Sequence, residues 1–165
     1  MILPFSTQLN GKPTYFVEKI HKGLRNILNV ALDPKEHYPN NYNFYIKDKC
    51  QPKIHTIRED KKNRWEKGMM IDFFINSRTK DMFRFAPRVP VVSVKEIYMS
   101  YAFGDIIEIS IGDRYIYDFR EKEQLAINDG FDNYKAFFDY FYPIITSKPN
   151  NFFSGKIIHW TDFKY

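Results

Sequence analysis

Ile107-Glu108-Ile109-Ser110-Ile111 is the most constraining stretch of the chain. Apolar and polar side chains alternate, so an extended backbone puts the isoleucines on one face and Glu108 and Ser110 on the other. Gly104-Asp105 before the stretch and Gly112-Asp113 after it are turn signals of the hairpin type. The same reading extends outward. Met69–Ile75 reads as an apolar strand interrupted by Asp72, and Met82–Phe85 leads the chain back. Val91–Tyr101 carries Val92, Val94, Ile97 and Met99, and Tyr115–Phe119 follows the second turn. Pro87 and Pro90 break any continuous central strand between them. The run from Met69 to Phe119 is therefore expected to form an antiparallel meander, curled into a small barrel rather than left with open edges.

Helical spacing flanks this region. Met1–Phe5 reads as a short strand or extended arm, followed by a turn at Asn10-Gly11. Phe16, Ile20, Leu24 and Ile27 recur at intervals of four and three, predicting a helix from Pro13 to about Leu28. Lys19, His21, Lys22 and Arg25 read as its solvated face or as a patch facing phosphate. Gly23 reads as a weak point costing about 1 kcal/mol relative to Ala. Glu121–Asn128 is expected to be a short helix stopped by Gly130. Asp132 is expected to cap a second helix through Phe141, ended by Pro143, with Lys156–Trp160 as a closing strand. Pro34–Cys50, where Tyr38, Tyr42, Phe44 and Tyr45 interleave with Pro and Asn, reads either as a loop pinned to the core or as a lid whose aromatics stack on a ligand.

Composition limits the function classes. The chain has 165 residues, suited to one domain with an insertion at about 33–50 and a helix-strand extension at about 132–165. A single cysteine excludes an intrachain disulfide, and four scattered histidines lack a metal-ligand spacing, so no metal and no cofactor are expected. There is no P-loop and no dinucleotide-binding glycine pattern. A net charge of +5 is compatible with nucleic acid and equally ordinary for a soluble protein. With no secretory leader and no apolar run of ~20 residues, no membrane partner is expected and the default location is cytoplasmic. The sequence leaves the oligomeric state open.

Lys53-Ile54-His55-Thr56-Ile57-Arg58-Glu59-Asp60, followed by Trp65 and Gly68, concentrates charge among aliphatics. This composition suits a pocket edge, in which isoleucines anchor the backbone and Lys53, Thr56 and Arg58 face a ligand. In an ideal strand Thr56 and Arg58 share one face while Lys53, His55 and Ile57 share the other. Lys53 and Thr56 converge only if a turn at Pro52–Ile54 precedes the strand. A salt-bridged strand start fits the same spacing.

The Lys53–Arg58 run, with Trp65 and Gly68 before a strand, resembles the signature of the ASCH family of PUA-like small barrels. Within it the run is nearest to the small amidohydrolases that remove the acetyl group of N4-acetylcytidine. The chain as a whole resembles an uncharacterised ASCH-like group. The resemblance implies an α+β fold, a mixed or antiparallel PUA-like β-barrel with flanking helices, and a cleft for RNA or a modified nucleoside. It also implies Lys53, Thr56 and Asp129 as catalytic residues, with Arg58 lining the cleft. Ile54 and His55 depart from the family pattern, and Asp129 stands where the family has a longer glutamate.

Three functions follow. A binding module would hold RNA, single-stranded nucleic acid or a modified nucleoside through Arg58, Lys53, Lys61, Lys62 and Arg64, with Tyr42 or Tyr45 stacking on a base. An amidohydrolase would use Lys53 as general base, acting through Thr56 or a water, with Asp129 orienting it. A structural or host-interaction protein would carry a vestigial cleft. The sequence favours the first.

Overall fold

The computed structural model describes residues 1–28 and 50–165. Two larger sheets, a two-stranded hairpin and three α-helices make up most of this part. β1 (Ile2–Pro4), β5 (Met70–Ile75), β6 (Phe83–Arg84) and β7 (Val89–Pro90) form a four-stranded sheet centred on β5. The second sheet has the order β10-β9-β8-β11-β4, built from β10 (Arg114–Tyr115), β9 (Glu108–Ile111), β8 (Ser93–Ser100), β11 (Phe152–His159) and β4 (His55–Arg58). A small hairpin pairs β2 (Gln8–Leu9) with β3 (Lys12–Pro13) across Asn10-Gly11, both at positive φ. The helices are α1 (Phe16–Leu28), α2 (Phe119–Asn128) and α3 (Tyr134–Thr146).

The five-stranded sheet separates two cores. Along β11, Ile157 joins one core with Ile57, Ile97, Ile109, Phe137 and Phe141, which α2 and α3 cover. Its neighbour Ile158 joins the other with Leu24, Phe73, Phe85 and Trp160, which α1 and the first sheet cover. The two-residue period of a strand makes this division, and it buries both faces of β11.

No barrel closes among the described residues, which corrects the expected PUA-like (ASCH) barrel. The meander is split between the sheets. β1 pairs in parallel with β5 (Ile2 opposite Asp72, Leu3 opposite Phe73) and takes the edge a barrel neighbour would need. β11 inserts between β8 and β4, so the strand expected to close the fold is internal, and β4 is an edge. The outward N–H of Ile57 on that edge donates to Asp129 Oδ1 at 3.1 Å. A carboxylate thus blunts the edge where another strand would otherwise pair.

Local signals are displaced in three places. Pro13 ends the hairpin, and α1 begins only at Phe16. Asn133, not Asp132, caps α3, its Oδ1 accepting from Ala136 N at 2.9 Å. That helix runs through Pro143 to Thr146. Among the described residues no helix is long and apolar enough to cross a membrane.

Candidate functional site

Lys53 precedes β4, in the irregular segment that follows Pro52. Its backbone N–H donates to Lys19 O at 3.0 Å on α1, and Ile54 N donates to Asn128 O at 3.0 Å at the end of α2. Two glycines make this approach possible. A Cβ on Gly23 would lie 2.5 Å from Lys53 O, and one on Gly130 would lie 2.8 Å from Lys53 Cδ. Gly23 is therefore a contact position rather than a weak point in a helix. Gly130, at φ +92, also turns the chain out of α2.

The Lys53 side chain enters the interior and is 1% exposed. Its ammonium donates to the Asp129 carbonyl and, at 2.8 Å, to Asp129 Oδ1. It lies 4.8 Å from the Phe16 ring centre. Burial dominates its titration, pushing the pKa down to about 8 against the opposing pull of Asp129. Asp129 is 4% exposed, and although burial alone would raise its pKa, Lys53 and His55 hold it below the ordinary carboxylate value. As the C-cap of α2 this carboxylate stands at the negative end of a helix, which Lys53 and the Ile57 N–H offset.

The network continues outward through His55. Asn128 Nδ2 donates to the Tyr165 hydroxyl at 2.9 Å, which leaves the hydroxyl proton for His55 Nε2 at 2.5 Å. His55 then carries its own proton on Nδ1, which faces Asp129 Oδ1 at 3.7 Å, beyond hydrogen-bond length. Burial lowers the His55 pKa and takes that of His159, whose ring centre is 5.0 Å away, down to about 3. Both rings are neutral at pH 7.

Lys53 and Asp129 thus converge, the arrangement that the resemblance implied for an enzyme. Thr56 does not join them. It stands opposite Ile158 on the other face of β4 and is 3% exposed, with no hydrogen bond to Lys53 or Asp129 among the described residues. Four cavities among the described residues have linings that include none of Lys53, Thr56 and Asp129.

Arg58, two residues on and on the face opposite His55 and Ile57, has a different setting. Nη2 donates to Pro4 O at 2.6 Å, the guanidinium carbon lies 5.3 Å from the Phe5 ring centre, and Nε is buried without a hydrogen-bond partner. Burial lowers its pKa from the ordinary arginine value. Arg58 lines a cleft of about 830 Å³ together with Arg64 and Arg78, the polar Ser6, Asn76 and Ser77, and the apolar Phe5 and Met82. The lining has no carboxylate. The nearest control on Arg64 is Asp60, whose Oδ1 lies 3.7 Å from Arg64 Nε and whose Oδ2 accepts from Trp65 N at 3.0 Å, organising the 60–65 turn.

The remaining expected contacts disperse. Lys61 pairs with Glu59 at 3.5 Å and lines another depression, where Lys148 and Lys156 face Glu59 and Glu96 and the charges cancel. Lys62 is exposed and lines none of these cavities. Tyr42 and Tyr45 lie outside the described residues. Lys19 and His21, expected on a solvated face, are buried. Lys19 is 5% exposed, with Nζ donating to Gly130 O and Asp132 Oδ1, both at 2.7 Å, and His21 Nε2 donates to Phe85 O at 2.6 Å. Arg78 had no signal in the sequence beyond a polar turn. Its φ of +67 in that turn brings it to the cleft.

The chain matches none of the protein-family models, none of the curated proteins and none of the solved structures. With no family match and no closed barrel, the ASCH resemblance of the Lys53–Arg58 run is not upheld. The site has to be judged on its own chemistry.

Proposed function

We propose that the protein binds nucleic acid or a modified nucleotide by its phosphate, in the cleft of Arg58, Arg64 and Arg78. The observation that carries this reading is the charge of the lining: arginines without a carboxylate among them, one held in place by Pro4 O and Phe5 with a buried Nε still unpaired. Guanidinium groups present rigid forks suited to phosphate oxygens, and a fork fixed before binding loses little entropy when it binds. Anisotropy titration of a fluorescent single-stranded RNA or DNA oligonucleotide tests the proposal. Binding that weakens as salt rises and falls about tenfold in Arg58→Ala supports it; no binding at low salt sinks it.

A second reading, hydrolysis of an N-acyl group from a modified pyrimidine, draws on the 2.8 Å Lys53–Asp129 contact and on a Lys53 pKa pushed down to about 8, where a lysine can act as a base. It ranks below binding because the Lys53 ammonium already donates to the Asp129 backbone carbonyl and to Oδ1, and Thr56 faces away. Incubation with N4-acetylcytidine, with Lys53→Ala as control, decides it. Release of cytidine and acetate by the wild type alone is the result this reading requires.

A further inference from the structure

A second cavity, of about 210 Å³, lies where the β2–β3 hairpin, the start of α1 and the α2–α3 junction meet. Phe16, Phe131 and Tyr140 give it aromatic walls. Its charged residues balance, Lys12 and Lys19 against Asp132 and Asp139, unlike the arginine cleft. A lining of this kind suits a neutral, flat, polar-edged group better than a phosphate.

The polar edge is specific. An ammonium carries three N–H donors. Lys19 uses two, on Gly130 O and Asp132 Oδ1, leaving one for an occupant of the cavity it lines. Asp132 has one oxygen on Lys19 and its side chain is 80% exposed, so the second oxygen is open to accept. Both oxygens of Asp139 are held by Lys135 at 2.9 Å. The cavity therefore offers one donor and one acceptor side by side under aromatic rings. A nucleobase edge, with an N–H next to a carbonyl or ring nitrogen, is the complement of that pair.

The linings of the cavity and the arginine cleft touch each other. Thr14, in the cavity lining, donates through Oγ1 to Ser6 O, in the cleft lining, at 2.7 Å. Behind them the Phe5 and Phe16 rings meet edge to face at 6.3 Å. Tyr15, between Thr14 and Phe16, holds φ +54, an uncommon conformation for a bulky side chain and one that accumulates at functional sites.

We propose that this cavity is a nucleobase pocket, in which Lys19 and Asp132 hydrogen-bond the base of the ligand whose phosphate lies on Arg58. The inference rests on the phosphate-binding reading above for its ligand, and on the Lys19–Asp132 pair for its chemistry.

Three probes keep the two readings apart: cytidine 5′-monophosphate, ribose 5-phosphate and cytidine. Calorimetric titration is expected to give the nucleotide at least tenfold tighter binding than ribose 5-phosphate. Asp132→Ala, at an exposed position, and Ala136→Phe, which fills the cavity, should each remove that advantage and leave ribose 5-phosphate unchanged. Equal affinity for the two phosphates, or an advantage that survives Ala136→Phe, overturns the base pocket while leaving the arginine cleft intact. Cytidine contact with the wild type, read by saturation-transfer NMR and lost in Ala136→Phe, supports the pocket even where neither phosphate binds. That last combination overturns the cleft reading, and no cytidine contact with the wild type overturns the pocket.

Discussion

Lys53 and Arg58 stand five positions apart and have opposite fates. Around Lys53 the charges are spent. Its ammonium, the Asp129 carboxylate and the Ile57 N–H meet in one buried knot, with His55, Tyr165 and Asn128 linked behind it. Around Arg58 they are not. Three arginines line an open cleft with no acid among them. The difference teaches that burial alone does not mark a functional group. A charge whose partners are all internal holds the fold, and a charge in the lining of an open cleft with no acid beside it is the one a ligand can meet.

The comparison breaks most readily at Asp129. Asp129→Ala leaves Lys53 buried without its counterion and frees an edge N–H, and should cost about 3–5 kcal/mol in urea unfolding. Oligonucleotide affinity of the folded fraction should not change. An Asp129→Ala protein of wild-type stability would show that the knot does not hold the fold.

Acid should separate the two regions next. The folded pKa of His159, about 3, lies below its ordinary value of 6.5, so the unfolded chain takes up the proton first. Its contribution is full above pH 6.5 and is lost as pH falls toward 3, by up to about 1.4 kcal/mol per pH unit. His55 shifts in the same direction. His159→Gln should flatten the profile across this window, and an unchanged slope would remove His159 from the account. Arginine charge is constant over the range, so the cleft should keep its charge wherever the protein stays folded.

Gly23→Ala sets propensity against contact. In an open helix it would stabilise by about 1 kcal/mol. Here the new methyl would meet Lys53 O, and a net loss of about 1–3 kcal/mol is expected in the same assay. A gain would mean that the Lys53 segment moves freely off α1.

Arg58→Ala should lower oligonucleotide affinity about tenfold, or about 1.4 kcal/mol. Its cost in stability should stay near 1 kcal/mol, from the lost Pro4 bond and Phe5 contact. The reverse proportion would place Arg58 with the structural charges. The smallest effect belongs to Arg64 and Arg78. Replacing either with Ala should reduce the slope of log affinity against log salt by about 0.7, the single-strand value per phosphate contact. An unaltered slope would show that phosphates do not reach them.

What could be read in the sequence was local. The alternation at Ile107–Ile111, the spacing of Phe16, Ile20, Leu24 and Ile27, and the turns at Asn10-Gly11 and Gly112-Asp113 each correspond to an element within a few residues. A strand beginning after Lys53 was legible as a geometric condition, and β4 does begin at His55, but residues 52–54 form no turn and Lys53 and Thr56 do not converge. The convergence of Lys53 with Asp129 was expected from a resemblance that did not hold, yet the contact forms, because a buried lysine needs a counterion whatever its family.

Elements and their faces follow from the chain's own periods, because side-chain direction along a helix or strand is set by covalent geometry over a few residues. Their assembly does not. The same alternation serves a barrel or a layered pair of sheets, and only the parallel pairing of β1 with β5 and the insertion of β11 between β8 and β4 selects the layers. The charges follow the same rule. Lys53 and Asp129 are 76 residues apart and Lys19 and Asp132 are 113 apart, so no local pattern could show that Lys19 is buried or that Arg58 lines a cleft without an acid. Sequence determined which groups are present and how each segment is built. Tertiary structure alone decided which charges are paired, because pairing depends on what distant segments bring to the same few ångströms.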